Sequence, residues 1–241
     1  REESDITPSL FPEFFASEVK MQLWGVGANI YHRDDMSNTS LTFNRVQNSG
    51  GSDQEAFWDP VTFTGARTDA EKDFAIYTVA ANHSQYMDQT KVDQFRSTFR
   101  WIEPTDRLVP AKMTSFGGMY SVRGYDEYEI VADGGILASV QYEYDLVRHS
   151  QTVESGTGTS KYIESIKRLA PLAFFDYGRT KVESPVPGEK GNQTLYSIGA
   201  GLAFDVGNNF SGALYYGYPL KETDDTNEGK GRLSASALLR W

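Results

Sequence analysis

The sequence predicts an all-β chain of the antiparallel outer-membrane β-barrel class. The last ten residues alternate strictly, with Leu233, Ala235, Ala237, Leu239 and Trp241 on one face and Arg232, Ser234, Ser236, Leu238 and Arg240 on the other. Several earlier segments repeat that period of two with aromatics on the apolar face, and the connections between them range from short turns to long polar stretches.

Along the chain, Gln22 to Tyr31, Ser40 to Val46, Phe74 to Ala81 and Val92 to Ile102 read as strands, the last with Phe95, Phe99 and Trp101 opposite Arg96 and Arg100. In the next strand Ile136, Ala138, Val140, Tyr142, Tyr144 and Leu146 face away from Ser139, Gln141, Glu143 and Asp145, a polar set that a water-filled interior accommodates better than a dry core. Leu169 to Val182 opens apolar on both faces, Ala173, Phe175 and Tyr177 opposing Leu172, Phe174 and Asp176. Tyr196 to Val206 and Phe210 to Leu220 follow, the second with Tyr216 and Tyr218 on its apolar side, and Arg232 to Trp241 closes a count of about nine strands. Gly207 to Asn209 is a short connection, whereas His149 to Ser160, Glu183 to Gln193 and Lys221 to Gly231 are long and polar, as external loops of membrane barrels are.

The totals fit. A net charge of -10 argues against gripping nucleic-acid phosphates, and the absence of Cys removes disulfides and thiolate metal sites. No apolar run approaches the ~20 residues of a membrane helix, while the mean hydropathy of -0.49 suits a barrel in which only alternate residues meet lipid. His32, His83 and His149 are dispersed, and no nucleophile elbow, P-loop or dinucleotide fingerprint occurs, so neither an enzyme nor a cofactor is expected. Gly199 and Gly201 lie inside a strand pattern, which implies close strand packing or room for a loop. Alternation alone leaves a soluble β-sandwich or lipocalin-like barrel as a rival, and a passive porin as another.

A more specific signal is Phe116-Gly117-Gly118-Met119-Tyr120-Ser121-Val122-Arg123-Gly124-Tyr125, too long for a hairpin turn. It resembles the Val-Arg-Gly-Tyr motif of the Omp85 superfamily and most closely the TpsB branch, the ShlB/FhaC/HecB-type transporters of two-partner secretion. Phe174-Phe175-Asp176-Tyr177-Gly178 resembles the Phe-x-Asp-x-Gly strand motif of the same group, with Phe174, Asp176 and Gly178 at the motif positions. Read alone, Arg123 is an ordinary loop arginine and Asp176 an ordinary strand carboxylate; the two motifs together outweigh that reading.

The resemblance spans about Val92 to Trp241 and implies that the loop at 103–134, carrying Val122, Arg123, Gly124 and Tyr125, folds into the barrel lumen with Arg123 paired to Asp176. It implies that the strands are the last of a sixteen-stranded barrel and that Leu239 and Trp241 belong to a C-terminal targeting signal whose usual last residue is Phe. Residues 1–241 are then expected to be the barrel part of a longer protein, since the family's POTRA domains and first strands have no counterpart here and Arg1 to Leu10 resembles neither. The implied function is export of an unfolded TpsA-like partner exoprotein through the bacterial outer membrane, with outer-membrane lipids and the barrel assembly machinery as further partners. A BamA-like assembly factor shares both motifs and stays open as an alternative.

Overall fold

The computed structural model describes residues 2–6, 17–49, 57, 59–61, 65–153 and 165–241. Its centre is one antiparallel sheet of nine strands: β3 (Leu23–Arg33), β4 (Ser37–Asn48), β5 (Ala75–Tyr86), β6 (Asp93–Pro104), β9 (Gly134–Tyr144), β10 (Ile166–Lys181), β11 (Thr194–Val206), β12 (Phe210–Pro219) and β13 (Arg232–Leu239). Each pairs with its neighbours in sequence, β6 running directly to β9. Two small ladders lie outside it: β1 (Glu2–Ile6) with β2 (Ser17–Met21), and β7 (Thr114–Phe116) with β8 (Ile130–Ala132), both within stretches that alternation did not mark as strands. The all-β class is thus observed, with the strands mostly longer at their ends than the sequence pattern indicates.

Alternation sets which side chains share a face. Val26, Ile30, Leu41, Phe43, Phe99, Val140, Phe175, Ile198, Leu214 and Tyr216 stand on one face, and all are exposed. So wide an apolar surface left uncovered needs an apolar solvent. The opposite face carries Asn44, Asn82, Thr98, Arg100, Ser139, Gln141, Asp176 and Ser197, and the 105–133 connection folds against its β9–β12 portion. The inward half of the doubly apolar start of β10 is accounted for by Ala170, Leu172 and Phe174, which form a buried cluster with Ala203 and Tyr215 on this inner face.

Two sequence expectations change. Leu146 does not continue β9: Asp145 turns the chain, its Oδ1 accepts the Val147 amide at 3.1 Å, and α1 (Leu146–Val153) packs against β10. An N-capping carboxylate stops the strand where alternation alone would extend it. The connection containing His149 to Ser160 leaves the sheet at the edge of the short links 34–36, 87–92 and 207–209, because strictly antiparallel order fixes the side of every connection. Residues 154–160 of that stretch lie outside the described residues. The other edge carries 49–74, 105–133, 182–193 and 220–231. β13 ends at Leu239, and Trp241 beyond it is fully exposed.

The longer connections are tied together by two arginines, Arg107 buried and Arg67 partly buried. Arg107 donates to Glu189 through Nη1 and Nη2 at 2.7 and 2.6 Å and to the Thr68 carbonyl at 2.6 Å. Arg67 donates to Asp133 at 2.5 and 3.1 Å, and the fully buried Asp133 also accepts the amides of Leu108 and Glu183, each at 2.9 Å. Met21, Phe57, Ala70, Phe74, Leu108 and Val109 form the apolar core beneath this cap.

Two outcomes follow from this architecture. In the complete barrel in lipid vesicles, Val140→Arg in the middle of the apolar face should cost ~2–4 kcal/mol in denaturant unfolding, whereas Thr98→Arg on the inner face should cost little. The Arg107 guanidinium holds the Glu189 carboxyl below its usual 4.5. A depressed carboxylate contributes stability that is complete above the unfolded value and is lost as pH falls through the folded one. Hydrogen-exchange protection of 182–193 should therefore decline as pH drops below about 4.5, and Glu189→Gln should flatten that decline.

Candidate functional site

The site lies where the 105–133 connection meets β9, β10, β11 and β12. Its backbone turns on a 3-10 turn at Pro110–Lys112 and the β7–β8 ladder, and Phe116, Val122, Tyr125, Ile130 and Ala132 pack with Leu195 into a core that includes Leu137 and Val182. This apolar contact seats the segment; the polar contacts orient it.

Asp176, fully buried on β10, has both oxygens occupied. Its Oδ2 accepts the Arg123 amide at 3.0 Å and Arg123 Nε at 2.8 Å, and its Oδ1 accepts Arg123 Nη2 at 2.8 Å and the Ser139 hydroxyl at 2.6 Å. Arg123 further donates from Nη1 to Gln141 Oε1 at 2.6 Å and from Nη2 to Ser139 Oγ at 3.1 Å. The guanidinium carbon sits 3.5 Å from the centroid of the Phe174 ring and 4.9 Å from that of Tyr215. A planar cation is thus sandwiched between a bidentate carboxylate at its edge and aromatic faces beneath it. Phe174, Asp176 and Gly178 share the inward face because they are spaced by two on one strand.

Close approach needs missing side chains. Gly124 has φ +98°, and a Cβ there would lie 2.8 Å from the carbonyl carbon of Gly217, while a Cβ on Gly217 would lie 2.5 Å from the Gly124 nitrogen. Two backbones therefore touch at this point, with no room for any L side chain. A Cβ on Gly178 would meet Val122 Cγ2 at 2.9 Å, and one on Gly199 would run into the Phe174 ring. Tyr125 is fully buried, its hydroxyl donating to the Tyr196 carbonyl at 3.1 Å or the Lys221 carbonyl at 2.8 Å and accepting the Tyr196 amide at 3.3 Å.

Around this centre lie residues that the sequence placed at most on a polar strand face and did not connect to the site. Gln141 Nε2 donates to Glu143 at 2.7 Å, and Glu143 in turn pairs with Arg96 at 3.1 Å and with Arg168. Glu129 accepts the Thr226 amide at 3.1 Å and the Thr226 hydroxyl at 2.6 Å, and Asp126 pairs with Arg232, so the segment is also held to the 220–231 connection and to β13. Regular spacing on β9 was the available signal, since Ser139, Gln141 and Glu143 form its polar face. Leu239 and Trp241 stand about one strand-length from this centre, Leu239 pairing with Phe210 at the short-turn edge. The histidines are separate: His83 Nδ1 is 2.8 Å from Thr39 Oγ1, His149 Nδ1 is 2.8 Å from Tyr144 Oη, and His32 lies 3.4 Å from Asp34.

The fold is similar to that of solved outer-membrane proteins. CdiB from Escherichia coli superposes with a TM-score of 0.67 at 19% identity over 92% of this chain and 37% of that one. BamA from Haemophilus ducreyi lacking POTRA domains 1-3 superposes with a TM-score of 0.52 at 12% identity over 98% of this chain and 57% of that one. The chain therefore spans well under two thirds of either, and its sheet corresponds to part of a barrel. No curated protein sequence matches it. The family model of the haemolysin secretion/activation proteins matches residues 19–204. An inner wall bearing a docked segment, an apolar outer wall and this match together identify the chain as outer-membrane β-barrel protein belonging to the ShlB/FhaC/HecB haemolysin secretion/activation family.

Proposed function

We propose that the complete protein is a two-partner secretion transporter that passes an unfolded TpsA-like exoprotein through its barrel, with the 105–133 segment as a lumen loop held by Arg123 and Asp176. The observation that carries this is the docking of the segment on the inner wall through a fully satisfied ion pair. Membership of the family supports secretion over the assembly of other barrels. The longer connections, this loop among them, belong on the external side and the short turns on the periplasmic side. Val122 and Tyr125 seat the loop, Gly124 and Gly178 permit its approach, and no bond in the exported chain is made or broken. Leu239 and Trp241 serve barrel assembly as the end of the C-terminal targeting strand.

Secretion of the partner into the medium tests the reading. Arg123→Ala and Asp176→Ala in the full-length protein should each still yield a heat-modifiable barrel while lowering secretion by about tenfold or more, because removing one member leaves the other buried and uncompensated. Normal secretion by both variants would overturn it. Gly217→Ala removes no charge and no hydrogen-bonding side chain, yet its methyl would occupy the space of the Gly124 nitrogen. It should reproduce the defect of Arg123→Ala, measured by secretion together with protease accessibility of the loop.

A further inference from the structure

We propose that the outer face of the barrel holds the headgroup phosphate of an outer-leaflet lipid at Arg179. Along the regular part of the nine strands the outward-facing cations are Arg45, Arg179 and Lys181, each within two outward positions of a longer connection. The middle of that face is apolar, so these charges mark the headgroup level.

Two of the three already have side-chain partners. Arg45 donates to the Tyr77 hydroxyl at 3.2 Å and to Gln47 at 2.5 Å and lies over the Trp24 ring. Lys181 pairs with Glu103 at 2.5 Å and with Glu183. The guanidinium of Arg179 is exposed and, among the described residues, makes no hydrogen bond or ion pair.

Arg179 stands in one cross-strand row with Ile136 and Trp101, above a row of Tyr177, Ala138 and Phe99. A cleft of about 330 Å³ opens there, lined also by Asn192, Glu103 and Lys181. Glu103 and Glu183 both close on Lys181, which leaves Arg179 as the cation of this cleft with no side-chain partner among the described residues. The planar fork of a guanidinium suits two oxygens of one phosphate. The apolar floor continues into the membrane-facing band, which selects a phosphate carried on acyl chains over a free anion.

The proposal rests on outer-membrane residence and on the external placement of the longer connections proposed above, and does not depend on the secretion reading. The full-length protein, purified from outer membranes in mild detergent, would be analysed by native mass spectrometry for bound lipid A, a doubly phosphorylated acylated glycolipid. The parent should retain lipid A, Arg179→Gln should retain about tenfold less, as expected for loss of a charge-assisted bidentate contact, and Arg179→Lys should fall between them. Arg100→Gln, which removes an inward-facing exposed cation, should match the parent. Dephosphorylated lipid A added back should bind weakly, and inorganic phosphate should not displace the intact lipid. Retention by Arg179→Gln equal to the parent would overturn the proposal, as would equal binding of the dephosphorylated lipid, displacement by inorganic phosphate, or a preference for phosphatidylglycerol. Secretion by Arg179→Gln would bear only on transport, so failure of one reading is distinguishable from failure of the other.

Discussion

The arrangement on the inner wall depends on one buried ion pair. Ordering a long connection costs roughly 1–2 kcal/mol of backbone entropy per residue, and removing two charges from water costs several kcal/mol more. The apolar core of Phe116, Val122, Tyr125 and Leu195 supplies the driving force for docking. The Arg123–Asp176 pair supplies direction: each carboxylate oxygen accepts two donors, and every nitrogen of the guanidinium has an acceptor. A pair satisfied in this way contributes less to net stability than to specifying one orientation, because any shifted register leaves a buried charge without its partners.

Much of the wall follows from that constraint. An arginine bedded on Phe174 and flanked by Tyr215 needs an apolar inward patch, which Ala170, Leu172 and Phe174 supply where the inward face of β10 would otherwise be polar. The patch in turn needs space, and Gly199 supplies it across the strand. Where the loop backbone reaches β12, Gly124 and Gly217 meet directly. A departure from binary alternation and a scatter of strand glycines, both weak signals separately, are two sides of one contact.

Period-two patterning made the nine strands legible because each has one face in an apolar solvent, and a slip of one residue would expose the polar face instead. Arg123 and Asp176 could be read together only through family resemblance; periodicity assigns Asp176 a face and says nothing of what lies opposite. The cap of Arg67, Arg107, Asp133 and Glu189 left no such trace, since its bonds join residues far apart in sequence and several end on backbone carbonyls. The helix after Asp145 was masked by an opposite effect, an apolar Leu146 that extends the strand pattern one step too far. Asp145 was the visible cue, as a capping carboxylate ahead of two amides. Connection length also misled: 145–165 is long yet sits at the short-turn edge, because antiparallel parity fixes the side regardless of length.

The same geometry bears on how the docked segment could leave. Gln141 is shared, its Oε1 accepting from Arg123 and its Nε2 donating to Glu143, which is itself held by Arg96 and Arg168. Withdrawal of Arg123 therefore frees one acceptor at the head of a polar row running down β9, while Asp176 keeps only the Ser139 hydroxyl. Loss of Arg123 would leave the buried Asp176 without its counter-charge, a cost that water reaching the wall would relieve. Partial displacement combines the lost bonds with continued exclusion of water and is the least favourable arrangement. The geometry therefore favours the fully docked arrangement, or full hydration of the wall, over any partly displaced one.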